Sequence, residues 1–184
     1  AGALNNYWDT NIDNPDKNYY KRVVTGAVRG VDYIASLSQW DGKTIGVTGA
    51  SQGGFLSLAV AALDKRITFL GVVHDAMCDY SAEVHGVAGG WPHYFYKNTD
   101  KSLKVKVDAS MYYDGVNFAR RINVPGWYSF GYNDEVVPPT SSYGLYNIVT
   151  APKKLSVYQQ TGHYWYQEQW DEWQNYIKEH LNVK

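Results

Sequence analysis

Apolar positions fall at helical spacing between Asn18 and Leu37, at Tyr20, Val23, Val24, Ala27, Val28, Val31, Ile34 and Ala35, so this stretch predicts a long amphipathic helix. After the turn Trp40-Asp41-Gly42-Lys43, the run Thr44 to Thr48 is short and β-branched and leads straight into Gly49-Ala50-Ser51-Gln52-Gly53-Gly54. Gly53 to Leu63 is apolar nearly all round, as a helix buried against a sheet must be, and Ile67 to Val73 reads as the next strand. Pro125 to Gly131 predicts a third strand, Pro138 to Val149 a helix and Lys154 to Gln159 a fourth strand. Trp170, Trp173, Ile177 and Leu181 give one face of a closing helix. Strands alternating with helices imply an α/β fold with a mostly parallel sheet flanked by helices. Residues 75–115 keep no steady period and are rich in Gly, His, Tyr and Trp, so they are expected to form a lid or pocket-forming insertion.

The chemistry follows from that order. Gly49-Ala50-Ser51-Gln52-Gly53 is a G-x-S-x-G pattern set between a predicted strand and a predicted helix, the context in which it marks a nucleophile elbow. A serine hydroxyl needs a base to take its proton, and the base needs an acid to hold its tautomer. Asp134 follows the third strand and His163 follows the fourth, 83 and 29 positions further along, both at carboxyl ends of strands where open α/β sheets gather their functional loops. His74, His85 and His93 lie in or beside the insertion and His180 on the last helix; Asp41, Asp64 and Asp114 read as turn or cap residues. Ser51, Asp134 and His163 are therefore the expected catalytic set.

Composition narrows the field. Hydrophobic residues are 45%, charged residues 19% and the formal net charge is -1, which offers no broad basic field for nucleic acid or anionic lipid. Cys78 is the only cysteine, so neither an internal disulfide nor a zinc-type cluster is expected, and the chemistry is expected to need no metal or cofactor. No run reaches the roughly 18 apolar residues of a bilayer span, and residues 1–18 have no signal-peptide pattern, which leaves cytoplasm, periplasm and exterior open. The 17 tyrosines and 7 tryptophans suit sugar stacking but fill ordinary cores more often.

Several segments make the chain similar to the acetyl xylan esterase and cephalosporin C deacetylase family of carbohydrate esterases. They are Tyr19-Tyr20-Lys21-Arg22-Val23, Gly46 to Gly54 with its Ser-Gln-Gly-Gly, Asp114 to Ala119, Asn133-Asp134, Val137-Pro138-Pro139-Thr140 and His163. Ala50 and Tyr164 depart from the residues usual in the family. The resemblance implies an α/β-hydrolase fold, a Ser51–Asp134–His163 triad, the Gln52 amide as one oxyanion donor, removal of acetyl groups from small decorated sugars, and ring-like hexamers. It also places a proline of the acyl pocket near Pro92, with Trp91 and Met77 beside it. By the same resemblance, residues 1–184 are expected to be the C-terminal portion of one catalytic domain. The first strands and the second oxyanion donor would then lie in an N-terminal half, held as a second chain or an uncut precursor. The elbow strand supports this, because it should be central and only one neighbour for it is legible. Other α/β-hydrolase activities, a peptidase or a feruloyl-type esterase, and a catalytically incomplete fragment are the alternatives.

Overall fold

The computed structural model describes residues 5–97 and 103–181; residues 98–102 of the expected insertion lie outside the described residues. Four parallel strands, β1 (Gly46–Ala50), β2 (Phe69–Val73), β3 (Gly126–Gly131) and β4 (Lys153–Tyr158), pair in the order β1-β2-β3-β4. Each is within two residues of its expected position at either end. The parallel sheet has helices on both faces, as the alternating pattern requires.

One face is covered by α2 (Gln52–Leu63), α4 (Gly115–Ala119) and α5 (Pro139–Ile148), with α1 (Tyr19–Ser36) packed on α2. Its core joins Leu58, Leu70, Val72, Tyr128 and Leu145. The opposite face carries α6 (Gln167–Leu181), and there Phe69, Val73, Trp127 and Tyr176 meet. Successive residues of β2 thus enter different cores, so all five are buried and the strand reads as one unbroken apolar run. Trp127 illustrates the polar accounting: its ring is fully buried, and its Nε1–H donates to Ser156 Oγ at 3.1 Å.

α1 starts where Asn18 caps it, the side chain accepting the Tyr20 N–H at 2.8 Å. Asp41 closes its turn by accepting from the Lys43 and Thr44 amides, each at 2.8 Å. Asp114 accepts the Val116 N–H at the start of α4 and the Asp79 and Tyr80 N–H groups, each at 2.9 Å, tying the segment after β2 to the start of α4. His180 donates to, or accepts from, nothing catalytic: Nδ1 faces the Tyr176 carbonyl at 2.9 Å and its ring packs on Phe69.

One feature was not foreseen. Residues Leu103–Ser110 form a helix, α3, although their apolar residues alternate with charged ones. An alternating pattern cannot give a helix one apolar stripe, and Val105 is accordingly exposed. β1, for which a single neighbour was legible, is the edge strand of the sheet among the described residues, with Gly46 and Thr48 exposed.

Candidate active site

β1 ends at Ala50, and Ser51 makes the turn into α2 with φ 56° and ψ −122°, a left-handed backbone that a residue with a Cβ adopts only when its surroundings hold it. The surroundings are visible. Ser51 N–H donates to the Val73 carbonyl at 2.9 Å, extending the β1–β2 ladder, and its own carbonyl accepts from the Phe55 and Ala76 amides, both at 3.2 Å. Gly49 permits the tight turn, since a Cβ there would lie 2.4 Å from the Gly53 carbonyl carbon and oxygen. Gly53 is different: a Cβ on it would meet nothing within 4 Å. Gly54 takes the second place, with Val72 and Val73 atoms at 3.3 Å from its would-be Cβ.

Gly131, the last residue of β3, lets the loop after β4 come close, because a Cβ there would fall 2.2 Å from the Thr161 carbonyl oxygen. That carbonyl accepts the Asn133 N–H at 3.0 Å. The two loops are thereby locked together, one carrying Asp134 and the other His163.

The three expected residues converge. His163 Nδ1 is 2.8 Å from Asp134 Oδ2, and His163 Nε2 is 3.1 Å from Ser51 Oγ. With Nδ1–H donated to the carboxylate, Nε2 is left to accept the serine proton. Asp134 is buried, while the His163 side chain is 27% exposed and so reaches solvent and an incoming molecule. Burial alone would push the Asp134 carboxyl up. The contacts from His163 and His74 and the Val137 N–H, donated to Oδ1 at 2.8 Å, outweigh it and hold the group well below the usual carboxylate range. A second amide, that of Val136, donates to Oδ1 at 3.0 Å.

Gln52 is the first residue of α2, so its backbone N–H is one of the helix's unclaimed donors, beside Ser51 and at the positive end of the helix dipole. Its side chain is fixed from two directions: Nε2 donates to Tyr7 Oη at 2.6 Å, and Tyr20 Oη donates to Oε1 at 3.3 Å.

Met77 is fully buried and Trp91 half-buried against Trp8, and the Met77 N–H donates to the Trp91 carbonyl at 2.9 Å. Pro92 follows Trp91 through a cis peptide bond. These three do not line the cavity of about 1090 Å³ between the insertion and the loop after β3, whose walls include Glu83, Val87, His93, Phe95, Glu135 and Pro138.

His74 joins the site unannounced by its sequence context. Its Nδ1 lies 3.2 Å from Asp134 Oδ2, and one donor atom from each of His74, Asp134 and His163 lies within 4.8 Å of the others. His163 Nδ1 meets the carboxylate as a hydrogen-bond donor and His74 Nδ1 approaches the same oxygen, so the trio centres on one carboxylate rather than aiming three lone pairs at an ion.

A parallel sheet with helices on both faces, and a strand-turn-helix that presents a serine to a histidine at the carboxyl edge, define an α/β-hydrolase fold. Comparison with known proteins narrows this. Residues 9–180 match the model of the acetyl xylan esterase family, and the chain belongs to that family. Acetyl esterase Axe7A of Xylanibacter ruminicola is 45% identical over 150 residues, which are 82% of this chain and 34% of that protein. Among solved structures, an acetyl xylan esterase from Paenibacillus sp. R4 superposes with a TM-score of 0.87 at 28% identity, over 95% of this chain and 57% of that one. Acetyl xylan esterase 1 from Thermoanaerobacterium sp. JW/SL YS485 shares the fold, with a TM-score of 0.84 at 23% identity over 97% of this chain and 59% of that one. The chain thus spans about a third of the length of the curated relative and under three-fifths of the two solved structures.

Proposed function

We propose that the protein is a serine esterase that removes O-acetyl groups from acetylated xylo-oligosaccharides or similar small acetylated molecules. The observation that carries this reading is the hydrogen-bonded chain from Asp134 Oδ2 through His163 to Ser51 Oγ, at 2.8 and 3.1 Å, in a member of the acetyl xylan esterase family. Ser51 Oγ attacks the acetyl carbonyl while His163 Nε2 takes its proton, and Asp134 stabilises the imidazolium that forms. The Gln52 N–H donates to the oxyanion of the tetrahedral intermediate. His163 then returns the proton to the leaving sugar oxygen, and water, activated by the same imidazole, hydrolyses the acetyl-serine. Every step is proton transfer and acyl transfer among these groups, so the proposed mechanism calls on no metal or cofactor.

The acetyl group is taken against the start of the insertion. The Ala76 N–H bond to the Ser51 carbonyl brings Met77 within two residues of the nucleophile, and Met77 is tied in turn to Trp91, next to Pro92. A pocket walled by the large side chains of this segment would favour a short acyl group.

The exposed outer edge of β1 supports a further proposal: additional strands of the same domain pair there, as an N-terminal half in the same or a second polypeptide, and supply the second oxyanion donor. Intact mass under native and denaturing conditions tests this, and it reads out the ring-like hexamer implied by the resemblance as well.

Ser51→Ala is the direct test of the chemistry. Acetate release from acetylated xylo-oligosaccharides and 4-nitrophenyl acetate should fall by roughly 10⁴ to 10⁶, with the melting temperature unchanged and labelling by a phosphonate probe abolished. Wild-type preference for acyl chains longer than acetyl would favour a different α/β-hydrolase activity, and near-normal turnover by the variant would remove the serine mechanism.

A further inference from the structure

His74 follows β2 directly and stands at the same sheet edge as Ser51, Asp134 and His163. Three observations set it apart from a residue that merely fills space. Its side chain is 2% exposed and neither ring nitrogen has a hydrogen-bond partner of good geometry, although an apolar residue would continue the buried run of β2 without that penalty. Its backbone is held at φ 47°, in the left-handed region, by a bond from its N–H to the Ser129 carbonyl at 2.9 Å. Its Nδ1 approaches Asp134 Oδ2 at 3.2 Å, the same oxygen that His163 contacts, and the two imidazole rings are 5.4 Å apart.

We propose that His74 is a positioning residue for the acid of the triad, a second imidazole on Asp134 Oδ2 that keeps the carboxylate aimed at His163. The inference rests on the serine-esterase reading. With no acceptor beside Nε2, the ring proton belongs on Nδ1, facing the carboxylate. Asp134 Oδ1 is held by the Val136 and Val137 amides, and Oδ2 is hydrogen-bonded by His163 and approached by His74 Nδ1 at 3.2 Å, so a rotation of the carboxylate away from His163 would give up contacts at both oxygens. When His163 becomes an imidazolium during acyl transfer, its counter-charge is then already in place and needs no reorganisation. A donor on a carboxylate also makes it less basic, so His74 moderates how strongly Asp134 draws a proton onto His163.

Among the described residues, the titratable groups facing His74 are Asp134, His163 and its own neighbour Asp75, whose carboxyl burial pushes up to about 6. The test compares His74→Leu, His74→Gly and His74→Asn in the intact protein, each rate divided by the number of Ser51 sites that a phosphonate titrates. Leu removes the donor, Gly removes it while relaxing the left-handed backbone, and Asn restores an N–H near the Nδ1 position in a residue that tolerates positive φ. Hydrolysis of 4-nitrophenyl acetate by the Leu and Gly variants should show kcat reduced roughly tenfold to a hundredfold, as when the outer partner of a reactive group is lost, with KM unchanged. Their acid limb of kcat/KM should move to higher pH, and should move equally in an Asp75→Asn background, while the Asn variant recovers most of kcat and the wild-type limb.

Equal impairment of all three variants, or a loss of melting temperature with kcat per titrated site and pH profile intact, would overturn the proposal. A wild-type protein that neither hydrolyses the acetate nor takes the phosphonate would remove the esterase reading and this proposal with it. An active wild type with indifferent His74 variants removes the proposal alone.

Discussion

Gly49→Ala and Gly53→Ala alter the two glycines of one motif, and the structure predicts opposite results. An alanine Cβ at position 49 would sit 2.4 Å from the Gly53 carbonyl carbon and oxygen and 2.8 Å from its Cα, where contacts under 3.0 Å essentially never occur. Those atoms belong to the first turn of α2, not to a flexible side chain. β1 and α2 must therefore separate by about 0.6 Å, the difference between 2.4 and 3.0 Å. Ser51 lies between them, and a displacement of that size applied to its 3.1 Å contact with His163 carries it out of hydrogen-bond range. Overpacking of this kind costs about 1–3 kcal/mol, and misplacing a nucleophile by a fraction of an ångström should lower kcat/KM roughly tenfold to a hundredfold. At position 53 the Cβ enters open space inside a helix. Alanine there should stabilise by about 0.5–1 kcal/mol, raise the melting temperature by about 1–4 °C and leave turnover within a few-fold. Hydrolysis of 4-nitrophenyl acetate and thermal melting, measured on both variants side by side, check the reasoning. Equal loss of activity in the two, or wild-type turnover in Gly49→Ala, would refute it.

Asp134→Asn should reduce turnover by roughly 10³ to 10⁴, because the amide can hold the wrong imidazole tautomer. Asp114→Asn should instead lower the melting temperature while leaving kcat per titrated serine unchanged, since Asp114 accepts the backbone amides of Asp79, Tyr80 and Val116 and has no hydrogen bond to Ser51, Asp134 or His163; loss of per-site turnover in that variant would reassign the acid. Asp75 supplies a pH prediction: burial raises its carboxyl from 3.8 to about 6, so the folded state holds this proton longer than the unfolded chain. Stability therefore falls as pH rises from about 4 to about 6 and levels off above, by about 3 kcal/mol at most from this group. Asp75→Asn should flatten that decline, and denaturant unfolding of wild type and variant giving parallel curves from pH 4 to 7 would contradict the assignment.

Local order carried most of what the sequence determined. The helices α1 and α6 were legible because their apolar spacing follows the helical period, and the strands and α2 because short apolar runs are bounded by turn residues. The convergence of Ser51, Asp134 and His163 was legible because each follows a strand, and parallel strands deliver their carboxyl ends to one edge. Leu103–Ser110 was missed because an alternating pattern on a partly exposed helix leaves no stripe to read. Only the tertiary structure decided that Gly53 is sterically free while Gly49, Gly54 and Gly131 are not, since those clearances lie between elements distant in sequence or folded back on each other. It also decided the place of His74. In the sequence this residue is one histidine after an apolar run; in the fold, the β2–β3 register pairs Val73 with Ser129 and sets the next residue of β2 beside the loop that carries Asp134, 60 residues away along the chain. Short-range periodicity specifies which elements form, whereas the contacts of a buried imidazole depend on how those elements are registered against one another.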